Sequence, residues 1–141
     1  MDNNEWQYRI GVINDRFHED IVKTLSCGPF DGGCVVVAEA LKNIIGGSVI
    51  VLTRGHNGLA DHAAVECDGL LWDYAGPLYP SEFIERFNLS ERACCTVYRD
   101  IKDDDLVEAY RDEELSKRLS SLFNEALFGS DFISQPGNSP C

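Results

Sequence analysis

The chain has 141 residues and a mass of 15.7 kDa, the size of one domain. At 44% hydrophobic and 26% charged it has the composition of an ordinary globule, not of a disordered or fibrous chain. The formal net charge of −12 argues against two partners, nucleic acid and an anionic membrane surface, because both are bound through clustered Lys and Arg.

No apolar run approaches the ~18 residues of a spanning helix, and Glu39, Lys42 and Asn43 interrupt the longest. The start, Met1-Asp2-Asn3-Asn4-Glu5, lacks the basic and apolar regions of a signal peptide, so a cytoplasmic chain is expected. Six cysteines (Cys27, Cys34, Cys67, Cys94, Cys95 and Cys141) in such a chain do not fit a short secreted disulfide framework. Free thiols are expected, with Cys27 near Cys34 the one pair considered for a regulatory disulfide.

In chain order, residues 5–25 place apolar side chains at helical spacing and predict one amphipathic helix. A Gly/Pro-rich loop over 26–33 follows. The run from Cys34 to Ile45 is long for a strand and ends in Gly46-Gly47, so a buried helix is predicted despite three consecutive valines. Strands are predicted over 48–53, 62–67 and 70–74. The last two are joined by Asp68-Gly69, a two-residue hairpin turn whose positions need positive φ. Residues 75–80 read as a loop, Ser81 as the cap of a short helix, and Cys94–Tyr98 as a further strand. Asp103–Phe128 reads as helical, with acids in its first turn. The expectation is one α+β domain over 1–129, its central helix on a small antiparallel sheet, and a flexible tail over 130–141.

The hairpin register carries the chemistry. Pairing Cys67 with Leu70 sets Val65 opposite Trp72 and Ala64 opposite Asp73. His62 then shares a face with Asp73 as a diagonal neighbour, ~7–8 Å away at the backbone. Ala64 between them is small enough to let the carboxylate turn towards the ring. An imidazole held by a carboxylate is the base half of a nucleophilic triad. Cys34 is the candidate nucleophile: it opens a helix, where unpaired N–H groups favour thiolate over thiol. Its own amide would donate to an oxyanion, and Gly32 and Gly33 would let a substrate carbonyl come close.

Gly33-Cys34-x-x-x-Ala38-x-x-Leu41, then a strand, then His62-Ala63-x-Val65-x-x-Asp68-Gly69-x-x-Trp72-Asp73 resembles the core of the papain-like and transglutaminase-like cysteine enzymes. The resemblance covers residues 28–76. It implies a papain-like core with Cys34 as nucleophile, His62 as general base and acid, and Asp73 as orienting carboxylate. No Gln stands shortly before Cys34, so the second oxyanion donor falls to Asp31, if protonated, or another backbone N–H. The implied activity is hydrolysis or acyl transfer on a protein or peptide-like amide, without cofactor.

Rival readings attach to the same residues. Cys34 and His62 are alternatively core packing, and His56, in a Gly-rich loop, is a competing base or a substrate-loop residue. Trp72 and Tyr74 fall on the face opposite Asp73, which makes Trp72 a core residue. The Cys/His spacings do not match a structural zinc site, and no metal is expected. The alternative function is a non-enzymatic acidic module that retains the papain-like core and binds a basic protein through 103–114.

Overall fold

The computed structural model describes residues 1–13, 33–109 and 111–129. The helices are α1 (Asn3–Ile13), α2 (Cys34–Ile45), α3 (Pro80–Glu91), α4 (Asp103–Glu108) and α5 (Glu113–Phe128). The strands are β1 (Ser48–Thr53), β2 (Ala60–Cys67), β3 (Leu70–Asp73), β4 (Gly76–Leu78) and β5 (Val97–Asp100). The architecture is α+β: an antiparallel five-stranded sheet in the order β4-β3-β2-β1-β5. No helix among the described residues is long and apolar enough to cross a membrane.

The valines of α2 are helical. Val35, Val36, Val37, Ala38, Ala40 and Leu41 are all buried, and that burial outweighs the ~0.5 kcal/mol or so that each β-branched residue costs a helix. Gly46 ends α2 by donating its N–H to the Lys42 carbonyl at 2.9 Å. α5 packs alongside, where Ser116 and Ser120 donate their hydroxyls to the Val36 and Ala40 carbonyls, each at 3.0 Å. Buried Arg9 on α1 donates to the Ala126 and Leu127 carbonyls and so occupies the carbonyl end of α5.

Strand alternation builds two cores. Val51, Ala63, Val65, Cys67 and Trp72 face α1, α2 and α5. Ile50, Leu52, Ala64 and Leu71 face the other way, against Phe83 and Phe87 of α3. The hairpin has the expected register at Val65 opposite Trp72 and Cys67 opposite Leu70, with Asp68 and Gly69 at φ 55° and 79°, but the expected Ala64–Asp73 pair is not formed.

Several expectations are corrected. The helix predicted over 5–25 is described from Asn3 to Ile13; its remainder, Asp31 and the 130–141 tail lie outside the described residues. Residues 76–78 pair with β3 as an edge strand, where a loop was expected. Tyr79, not Ser81, precedes α3, because Pro80 supplies a preset φ for its first turn. The strand near Cys94 starts at Val97, since Asn88 binds both backbone groups of Cys95 and holds that segment off the sheet. Residues 103–128 form two helices: Ala109 is extended, and Asp112 restarts the chain by accepting the Leu115 N–H at 3.0 Å. Cys67 is disulfide-bonded, which overturns the expectation of six free thiols; Cys34, Cys94 and Cys95 are thiols.

Candidate active site

Asp73 ends β3, and its carboxylate is held from three sides. Oδ1 accepts the Ala75 N–H at 2.8 Å and the Arg86 guanidinium at 3.0 Å. Oδ2 meets Nε2 of His62 at 2.9 Å. The diagonal relation expected from the hairpin is therefore a direct hydrogen bond, and buried Ala64 leaves the space for it.

The ring is fixed by stacking as well. His62 lies on Phe87 with centroids 4.6 Å apart and planes 17° from parallel, and near Phe83 at 6.1 Å. Its side chain is 14% exposed. With Nε2 taken by Asp73, Nδ1 is the nitrogen left for a second partner. The Cys34 side chain acts on the same ring, and its interaction raises the imidazole pKa.

The meeting of Cys34 and His62 crosses the sheet. Cys34 opens α2 and packs with the core on one face, while His62 stacks on the core of the other. The β2–β3 ladder stops at Val65 and Trp72, so the strands no longer pair where His62 and Asp73 stand.

Burial alone would lower the His62 pKa, because a dry site disfavours imidazolium. Hydrogen bonds and charge from Asp73 and Cys34 outweigh it and raise the ring from 6.5 to about 9. Near neutral pH the ring carries its proton. Cys95 is also raised, but here burial adds to the shift: burial and the neighbouring Asp61 carboxylate, 3.3 Å from its sulfur, push the thiol up to about 12.

The remaining expected residues divide. Gly33 precedes α2 at φ −81° and ψ −1°, a conformation open to any residue, and accepts the Val37 N–H at 3.0 Å. His56 is exposed in the loop between β1 and β2 and has no hydrogen bond among the described residues. Trp72 is buried against Trp6, in a core role. Of the acids proposed to meet a basic partner, Asp105 is paired twice with Arg99 and Asp112 caps α5, so both have structural work.

Sequence reasoning missed Arg86 and the stacking role of Phe83 and Phe87. Their i, i+3, i+4 spacing is the signal that would have found them, since it puts all three on one helix face. It also missed α1 as a support. Asn3 and Gln7 donate to the Ala75 carbonyl, and Trp6 Nε1 donates to the Tyr74 carbonyl.

Comparison with known proteins returns no matching family model, no matching curated protein and no matching solved structure.

Proposed function

We propose that this protein is a thiol-dependent acyl-transfer enzyme with a minimal papain-like or transglutaminase-like core, acting on an amide of a protein or peptide. One observation carries this reading: a single buried imidazole is hydrogen-bonded to a carboxylate and interacts with a cysteine at a helix start, which raises the ring's pKa. That is the nucleophile, base and orienter arrangement of covalent catalysis.

The Cys34 sulfur attacks the amide carbon, and the carbonyl electrons move to oxygen. The Cys34 N–H belongs to the first turn of α2, whose N–H groups find no acceptor within the helix, and it is the donor proposed for the developing charge. As the carbon–nitrogen bond breaks, His62 gives its proton to the departing amine, leaving a thioester on Cys34. Water or an amine, deprotonated by His62, then attacks the thioester and returns the thiol. Asp73 keeps the ring oriented throughout. Hydrolysis, deamidation and transamidation share these steps.

The test is a mixture of glutamine-containing peptides incubated with the full chain, with and without a primary amine. Cleavage, a one-dalton mass gain with ammonia release, or amine incorporation distinguishes the three outcomes. Each is expected to disappear in Cys34→Ser and in His62→Ala. Turnover that survives Cys34→Ser would overturn the reading. A folded chain that gives no product and no acyl adduct at Cys34 with an activated ester would favour the non-enzymatic module.

A further inference from the structure

Arg86 is tied down more thoroughly than any surface ion pair requires. Its guanidinium donates to Asp73 Oδ1 at 3.0 Å, to the Gly76 carbonyl at 3.0 Å and to the Ala75 carbonyl at 3.2 Å, and lies 4.9 Å over the Phe83 ring. Phe87, one residue on, stacks on His62. One turn of α3 thus holds the His62 ring and the carboxylate that grips it.

Orientation alone does not need this arginine. The Ala75 N–H already fixes Oδ1 at 2.8 Å, and an uncharged donor there suffices to keep Oδ2 on the ring. What Arg86 adds is positive charge on the far oxygen of the carboxylate that faces His62. Among the described residues, the charged and titratable groups around the ring are Asp73 from β3, Cys34 from α2, and Arg86 from α3 acting through Asp73. Asp61, the neighbour of His62 along β2, is engaged by Cys95 and Arg54.

We infer that Arg86 is a positioning and tuning residue that shares the Asp73 charge and thereby limits how tightly His62 holds its proton. A general acid that must also act as base works best when its proton is neither too tightly nor too loosely held. A carboxylate left wholly to the imidazole would hold that proton too well. The catalytic importance of this rests on the proposed function; the charge sharing itself does not.

The experiment separates the two. In the full chain carrying Cys34→Ala, which removes the coupled thiol, the His62 titration is followed by histidine NMR and identified by its loss in His62→Gln. Arg86→Gln is expected to raise the His62 midpoint by about one pH unit. Arg86→Lys, which restores the charge, is expected to bring it back. Arg86→Met, which keeps an unbranched apolar stem without the charge, is read in the same way as Gln. A midpoint that falls or stays put in the neutral variants would overturn the inference, and so would failure of both to fold while Lys folds, since Arg86 would then be a clamp only. In the Cys34 chain, Arg86→Gln is expected to move the pH profile of turnover by the same amount. A shifted NMR midpoint without any turnover would sink the enzyme reading and leave the tuning role standing.

Discussion

Trp6 Nε1 donates to the Tyr74 carbonyl at 2.9 Å and so fastens α1 to the residue next to Asp73. The same indole packs edge-on against Trp72, 5.5 Å between centroids, so the contact is apolar and polar at once. The turn behind the carboxylate is therefore held by a helix that lies 68 residues earlier in the chain.

Gly76 lies in this turn at φ 103°, and a Cβ there would stand 2.6 Å from Asn3 Nδ2 and 2.8 Å from Trp6 Cδ1. Gly76→Ala combines backbone strain with a clash against α1. We expect a loss of about 1–3 kcal/mol, read as a lower urea midpoint. A midpoint equal to that of the unaltered chain would show that α1 does not press on the turn.

Asp73→Asn keeps the shape of the carboxylate but offers an amide that can hold the ring in the wrong tautomer. Turnover is expected to fall steeply; the corresponding change in a serine triad costs ~10⁴-fold. A small loss would favour the papain-like subtype, in which an amide serves at this position. Asp73→Ala with unchanged turnover would remove the residue from the mechanism.

Stability should depend on pH through His62. Its folded pKa of about 9 exceeds the ordinary 6.5, so the folded state holds the proton more tightly than the unfolded state. The stabilisation is complete below about pH 6.5 and is lost as pH rises through about 9, a change on the order of 3 kcal/mol. Cys95, pushed up from 9.0 to about 12, carries the decline further because the unfolded chain ionises it first. Urea midpoints measured from pH 6 to 9 should fall in the unaltered chain and flatten in His62→Gln. An equal slope in both would mean that the ring does not carry this linkage.

The thiols should differ in reactivity. A protonated imidazole beside sulfur promotes alkylation, whereas burial and a carboxylate suppress it. Brief iodoacetamide treatment at pH 6 should label Cys34 before exposed Cys94 and leave Cys95 untouched, as mapped by peptide mass spectrometry. His62→Ala should abolish the preference. Cys94 labelled first in the unaltered chain would contradict an activated Cys34.

The hairpin was legible because Asp68-Gly69 permits only one tight register, and that register places His62 and Asp73 together. The helix at Cys34 was legible from its length and its glycine stop. What local pattern could not deliver was the approach of Cys34 to His62, because α2 and β2 meet only through tertiary packing. Arg86 was hidden for a different reason. A lone arginine on an amphipathic helix looks like any solvated charge until the partner strand is placed. β4 was obscured by Pro77, which removes one backbone donor and marks an edge strand as readily as a loop.

Because the thiol and the imidazole are supplied from opposite faces of one sheet, neither core alone defines the distance between them. A change in packing on either side, at Phe87 or at Val36, alters that separation without touching a reacting atom. The pair thus acts as a gauge of how the two helical layers are clamped together.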